Sequence, residues 1–484
     1  MGATQVARPR PDEHPGERDA TAGEPSRWVR MVLVALAVAG TLAALLLPLL
    51  PVNQSVVTVR WPTERFGTAA VQAPFTGYQP VWFLAEIPCQ SVRDLPARST
   101  GPATLVDTTP PNAEYGYLSG LSVRLADSQL SVFDQGRLLW RALVPRRGCA
   151  VSVSSDASRT TVSLGDRRVV DDAGDHRPLF TGIYSDLDAR RDNTAGLDVR
   201  ARADNRFDNV ATPLKGTAIA VSLLAVVTSL VLLRRMDGVR RAPGRRWRRW
   251  LRGLTGRDVT VAAVLALWTV VGPVTSDDGY TLSMVRARVA SGYIGNYFRW
   301  FDTPEAPFGW FYDLYAGWAQ ISTATVWMRV PALLMGIGTW LLLSKALLPR
   351  LGERVATSRL ATWSAAAAFV MFWLGYDHGL RPEPVVVLFS LLVLCAVERA
   401  LATGRLLPVA VALIAAGLSV AATPTGLIAL LPFVVAAAPL IRLLRARIAS
   451  AGAWTTFAPL AAAGTGVLVV VFYNQTLRAL LEGA

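Results

Sequence analysis

The residues that could do chemistry fall in three short stretches, each beside a long apolar run. In "PVTSDDGYTLSMVRAR", residues 273–288, two adjacent carboxylates, Asp277 and Asp278, follow a segment apolar enough to enter a membrane. In "SGYIGNYFRWFDTPEAPFGWFYDLYAGW", Glu305 stands between two prolines in a run of aromatic rings. In "YDHGLRPEP", residues 376–384, Asp377, His378, Arg381 and Glu383 share one tight turn. Acids at a membrane boundary suit an enzyme acting on a lipid-linked sugar. One carboxylate deprotonates an acceptor hydroxyl while the lipid phosphate leaves from the sugar. Such a displacement needs a single base, unlike the two-carboxylate hydrolases. The pair therefore divides into Asp277 as base and Asp278 as a supporting or cation-binding group. These residues point to no particular cofactor, and a divalent cation is the one candidate.

The competing structural account is that "SDDG" caps the helix beginning at "YTLSMVRARV", because a carboxylate there accepts backbone N–H bonds and complements the helix dipole. Capping accounts for one acid, not two. Glu305 is held on a stiff turn by its flanking prolines, with no helix to cap, and is a candidate on the substrate side. Most of the surrounding rings read as an interfacial aromatic belt, with Trp310, like Tyr280 of the acidic motif, placed toward the substrate. Arg381 suits a lipid phosphate, since guanidinium offers two parallel donors to phosphate oxygens; an ion pair with Glu383 is its structural alternative. His378 and Glu383 join it as substrate-side candidates. "TPTG", residues 423–426, offers only hydroxyls and a turn.

The elements that must position these residues are apolar helices. Of the 484 residues 52% are apolar, in blocks separated by short basic segments, the pattern of a polytopic membrane protein. The net charge of +14 is almost all arginine, Lys215 and Lys345 being the only lysines. Ten arginines lie between Arg234 and Arg257, flanked by apolar runs, which reads as a juxtamembrane loop and not as a nucleic-acid surface. Three cysteines without metal-ligand spacing argue against a zinc site. Cys89 and Cys149 lie in one polar segment and could bond if it is extracytoplasmic.

Residues 1–27 read as a disordered cytoplasmic tail and 28–50 as an uncleaved signal anchor. With the arginine-bearing tail inside, residues 51–215 lie outside. Residues 216–484 then hold about eight spans, near 216–233, 258–275, 324–348, 360–376, 384–401, 406–422, 427–441 and 452–472. Arginines gather in every second loop, and the three candidate stretches fall in the others, facing outward. Runs such as "SVVTVRW", "LSVRLADSQLSVF", "RLLWRALV", "CAVSVSS" and "TTVSL" alternate with period two, so the outer segment is an all-β sandwich. Its Trp61, Trp82 and Trp140 are either core or sugar-stacking platforms.

The stretch from "GPVTSDDGYTLSMVRARV" through "DTPEAPFGWFYDLYAGW" to "MRVPALL", with "GLRPEP" and "TPTGL" after it, resembles the mycobacterial and corynebacterial cell-wall arabinosyltransferases, the targets of ethambutol. The order of anchor, β-rich domain, second span, basic loop and acidic motif matches as well, so the resemblance covers residues 28–484. It implies a GT-C glycosyltransferase fold in the plasma membrane and a decaprenyl-phosphoryl arabinofuranose donor. It also implies an arabinan acceptor, of arabinogalactan or lipoarabinomannan, on the outer face. Asp277 falls on the family's proposed base, Met284 on its inhibitor-response position, and Glu305 on an acid lining the acceptor and inhibitor pocket. Family members are longer, with further spans and a C-terminal carbohydrate-binding domain. The chain is thus expected to be an N-terminal half that works with membrane lipid around it and a homologous chain as homo- or heterodimer partner. Another polyprenyl-phosphosugar transferase and a non-catalytic subunit are the alternatives. A transporter would carry ionisable groups mid-membrane in broken helices, whereas these acids cluster at the ends of spans.

Overall fold

The computed structural model describes residues 27–54, 57–64, 67–73, 79–93, 102–144, 150–203, 209–238, 253–273, 275, 278–279, 281–282, 284–286, 310–376 and 379–483. A β-sandwich is inserted between the first two helices of a helical bundle. Helix α1, Arg27–Leu46, runs into a 3-10 turn and leads to the strand Val52–Gln54. The returning strand, Asn209–Ala211, pairs antiparallel with it and leads into α2, Pro213–Met236. Pro213 opens α2 where no N–H is needed, and the Thr212 hydroxyl accepts the amide of Lys215. A Cβ on Gly40 of α1 would overlap the Ala225 Cβ of α2. In lipid, where the solvent is as apolar as leucine, such close approach of small residues is what holds helices together.

The sandwich is two antiparallel sheets. One has six strands in the order Arg167–Ala173, Arg159–Leu164, Ala150–Asp156, Trp82–Pro88, Asp198–Arg202 and Thr58–Trp61; the other has four, from Ala103–Asp107 to Arg137–Leu143 in sequence order. Alternate residues such as Phe83, Ala85 and Ile87 from the first and Val123, Leu125, Leu130 and Val132 from the second make one core. Trp61 belongs to that core, 1% exposed with its indole N–H on the Ala69 carbonyl. A stacking role for Trp61 is therefore overturned: a ring sealed between sheets has no face for a sugar. Trp140 is half-buried against the same core. Cys89 is disulfide-bonded and Cys395 is a free thiol, while Cys149 lies outside the described residues.

The bundle continues with α3 (Gly256–Val271), α4 (Trp310–Ala319), α5 (Thr325–Leu342), α6 (Arg359–Tyr376), α7 (Glu383–Thr403) and α8 (Leu407–Val420). After a 3-10 turn come α9 (Leu431–Val435), α10 (Ala437–Ala451), α11 (Ala453–Thr465) and α12 (Val467–Phe472). Among the described residues five helices are long and apolar enough to cross a membrane, or six with one bent pair. Helices cover each of the nine expected segments, but α3 has 16 residues and α8 has 14. The expected span 427–441 is a broken one: the chain bends by 64° between Val435 and Ala437.

Side chains pin the two ends of the bundle. At the end away from the sandwich, Asp237 accepts the amides of Leu406 and Leu407 and pairs with Arg447 at 3.2 Å, and Arg447 also donates to the Gly404 carbonyl. There too Asp258 accepts the Thr255 amide, the Trp340 indole N–H and the Lys345 ammonium. At the sandwich end, buried Lys215 donates to the carbonyls of Leu50 and Gln475. These contacts use ions to satisfy backbone groups that helix ends leave open.

Candidate active site

The acidic motif begins where α3 stops. Three carbonyls at that end, of Thr269, Gly272 and Pro273, receive the guanidinium of Arg329, which reaches across from α5 at 3.5, 2.9 and 2.5 Å. Arg329 is 2% exposed. A cation at a helix C-terminus is favourable, and here it also fixes where the acidic motif starts.

Asp278 answers it from the other side. Its Oδ2 lies 3.6 Å from the Arg329 guanidinium and accepts the Thr275 amide at 3.2 Å, while its own amide donates to the Thr275 hydroxyl at 3.2 Å. This reciprocal pair is a capping box. Its Oδ1 accepts the amide of Leu380 at 2.6 Å, so the acidic motif and the "GLRPEP" turn that leads into α7 are held as one unit. Gly379 makes the approach possible, because a Cβ there would overlap Oδ1.

With both oxygens engaged and 2% exposure, Asp278 is placed to position other groups. A divalent cation does not fit there, since it would sit against the Arg329 guanidinium.

Met284 is likewise sealed. It is 0% exposed among Phe311, Tyr315, Met328, Leu380 and Val386, so it supports the wall of the site without lining it. Phe311, Tyr312 and Tyr315 of α4 are buried in the same cluster, which overturns the belt reading for these three rings. The cause is that α4 turns its aromatic side onto α5 and the acidic motif, edge to face within itself: Phe311 and Tyr315 centroids are 4.7 Å apart. Trp318 and Trp327 stack at 4.4 Å and each donates its indole N–H to the other's carbonyl, locking the turn between α4 and α5.

Trp310 is half-buried against this cluster. Its indole N–H, the Tyr315 hydroxyl and Glu383 Oε2 are buried polar atoms that find no hydrogen-bond partner among the described residues. Burial, reinforced by the charge of Asp278, pushes the Tyr315 phenol above its ordinary pKa, so it stays protonated as a donor. Arg381 and Glu383 are half-buried at the N-terminal end of α7. Asp277, Tyr280, Glu305 and His378 lie outside the described residues.

Sequence reasoning missed Arg329, Tyr315 as more than a belt ring, and Asp313, which accepts the Tyr473 hydroxyl from beyond α12. Arg329 carried a signal, since an ionisable residue within an apolar span is a functional candidate.

Residues 210–484 match the family described as "Mycobacterial cell wall arabinan synthesis protein", and residues 53–206 match an "Arabinosyltransferase concanavalin like domain". The chain belongs to the arabinan synthesis family. Within it, the chain is 37% identical to a "Probable arabinosyltransferase C" of Mycolicibacterium smegmatis, over 96% of its own length and 45% of the relative's. It is also 37% identical to a "Probable arabinosyltransferase B" of Mycobacterium avium, over 96% and 44%. The structure superposes on the cryo-EM structure of arabinosyltransferase EmbB from Mycobacterium smegmatis with a TM-score of 0.61 at 33% identity, covering 94% of this chain and 45% of that one. The chain thus spans about half the length of these family members, and the fold is the GT-C-like membrane bundle with an inserted β-sandwich.

Proposed function

We propose that this chain acts in the transfer of arabinofuranose from decaprenyl-phosphoryl arabinose to growing cell-wall arabinan at the outer face of the plasma membrane. The observation that carries the reading is the Asp278 carboxylate, which ties the acidic motif to the "GLRPEP" turn through the amides of Thr275 and Leu380. It joins the stretch assigned the base to the stretch assigned the phosphate ligand, in a chain whose relatives are named arabinosyltransferases. Asp277 deprotonates the acceptor hydroxyl, whose oxygen attacks the anomeric carbon as the bond to the lipid phosphate breaks. Arg381 receives the departing phosphate. Glu305, Tyr280, Trp310, His378 and Glu383 shape the substrate side, and Arg329 and Asp278 hold the frame.

The orientation rests on the gathering of arginines, Arg234 and Arg235 at the end of α2 and Arg442, Arg445 and Arg447 in α10, at the end of the bundle away from the sandwich, which is the cytoplasmic end under the positive-inside rule. Ethambutol is expected to bind in the pocket that Glu305 faces and whose wall Met284 backs from behind, and a homologous chain to pair with this one.

The test is transfer of labelled arabinofuranose from the polyprenyl donor in membranes expressing the chain within a full-length context. Asp277→Asn is expected to abolish transfer with insertion and yield unchanged. Full activity in that variant overturns the assignment, and preference for a mannosyl over an arabinosyl phospholipid in competition overturns the donor.

A further inference from the structure

Helix α4 has 10 residues, Trp310–Ala319, and a helix that short owes its place to the contacts it makes. Its buried rings, Phe311, Tyr312 and Tyr315, settle on Met284 and Val285 of the acidic motif and on Met328 of α5. The Trp318 and Trp327 pair ties its C-terminal end to α5. Apolar packing sets how deep the helix lies but is non-directional. A directional tie at the half that carries Trp310 comes from Asp313. It stands three residues after Trp310, on the same side of the helix, and accepts the Tyr473 hydroxyl.

Tyr473 is itself held from the base of the sandwich. It follows α12, whose Val469 and Phe472 pack with Leu47 and Leu50 at the end of the anchor and with Ala218 and Ile219 of α2. Two residues on, Gln475 offers its carbonyl to the Lys215 ammonium at 2.5 Å, and the same ammonium donates to the Leu50 carbonyl at 3.3 Å. Leu50 and Lys215 flank the two strands that carry the sandwich, Val52–Gln54 and Asn209–Ala211. A cation in the first turn of a helix opposes the dipole, so nothing local to α2 calls for Lys215; the two carbonyls do. The Gln475 side chain donates to the Val471 carbonyl at 2.6 Å and stiffens the segment. The stretch from Phe472 to Gln475 thus touches the sandwich's base on one side and the flank of α4 on the other.

We propose that Tyr473 and Asp313 are positioning residues for the transfer: their hydrogen bond fixes the setting of α4, and with it Trp310 on the substrate side, against the sandwich base that Lys215 holds. Neither residue touches substrate. A phenol suits the task, since it offers one donor on a rigid ring and no charge. The inference rests on the reading of the chain as acting in arabinosyl transfer, and it goes beyond that reading by giving the attachment of the sandwich a part in the geometry of the site.

The experiment measures kcat and KM for the polyprenyl donor, per folded chain, with the variants placed in a full-length context. Tyr473→Phe removes the hydroxyl alone and is expected to lower kcat about tenfold or more with KM unchanged, the size expected of a misplaced group near a reacting centre. Asp313→Leu is expected to match it, and the two together to lose no more than either. Asp313→Asn keeps an acceptor oxygen and is expected to keep nearly all of kcat. A readout free of catalysis is the fluorine NMR line of Trp310 in the 484-residue chain labelled with fluorotryptophan, assigned by its loss in Trp310→Phe. That line is expected to shift in Tyr473→Phe and to stay in Asp313→Asn. Full kcat in Tyr473→Phe, a rise in KM alone, an unmoved Trp310 line, or Asp313→Asn as impaired as Asp313→Leu overturns the proposal. Lack of arabinosyl transfer by the unaltered protein overturns the functional reading instead, and the fluorine measurement then decides this one.

Discussion

Replacing Asp278 by asparagine separates a frame residue from a catalytic one. The side-chain amide oxygen of that variant can still accept from Leu380, which now lies 2.6 Å from Oδ1, but its –NH2 faces the Thr275 amide and the Arg329 guanidinium, all of them donors. One charge-assisted hydrogen bond is lost, about 1.5–3 kcal/mol. A buried cation is also left without its anion, which typically costs about 3–5 kcal/mol. Arg329 keeps three carbonyl partners, so the lower end of both ranges applies and the sum is about 4–5 kcal/mol. The assay is unfolding of the chain in nanodiscs, followed by tryptophan fluorescence and read as midpoints at one fixed scan rate, because unfolding of such a chain is irreversible. Asp278→Asn is expected to lower the midpoint clearly, and Arg329→Met in the same background to cost less than it does alone, by about 1–2 kcal/mol. Asp277→Asn is expected to leave the midpoint in place. An unshifted midpoint for Asp278→Asn, or strict additivity with Arg329→Met, would refute the positioning role.

Gly379→Ala drives a methyl into Asp278 Oδ1; it is expected to destabilise nearly as much as Asp278→Asn, with the double variant no worse than either, in the same unfolding assay. Trp61→Ala empties a site in the sandwich core and is expected to cost about 3–5 kcal/mol, seen as faster proteolysis of the inserted domain while helical content holds. Asp134, in the sandwich, is pushed up to about 7 by burial, against the opposing charges of His176 and Arg137 and with that of Asp172. An unfolded carboxylate ionises near pH 4, so between about pH 4 and 7 the folded domain holds a proton that the unfolded chain has released. Stability from this group therefore falls as pH rises through that window and is level above it. Asp134→Asn is expected to flatten the slope, measured as unfolding midpoints at about pH 4.5 and 8, either side of most of that window, and an unchanged slope would dismiss the assignment.

Features set by local pattern were legible in the sequence. Alternation in "LSVRLADSQLSVF" marks the hairpin Leu121–Ala126 and Gln129–Asp134, and the capping account of "SDDG" holds for Asp278, whose box with Thr275 spans three residues. What could not be read is set by partners far along the chain. Asp278 meets Leu380 at a separation of 102 residues, so nothing near it announces that its carboxylate is used up. Phe311, Tyr312 and Tyr315 have the composition of an interfacial belt, and only the packing of α4 decides that they face inward. The break after Val435 escaped because an apolar run looks the same whether or not it bends; Pro432 was the available sign.

The two ends of the bundle are built by the same device. Arg329 and Asp278 at one end, and Arg447 and Asp237 at the other, each bind backbone atoms of helix ends as well as each other. An ion pair alone is a weak reason for stability once desolvation is counted. Bonded to backbone groups that would otherwise be orphaned in lipid, where each costs on the order of several kcal/mol, the same charges become the fixed points from which helices are hung. The consequence differs between the ends. At the far end the fixed elements are helix termini that carry none of the candidate acids, so rigidity there serves the fold alone. At the sandwich end the fixed elements are the two stretches that carry the proposed base and phosphate ligand, so the frame sets their separation before substrate arrives. Preorganisation of that kind is what a one-base displacement needs, because its rate depends on holding acceptor, sugar and phosphate in line.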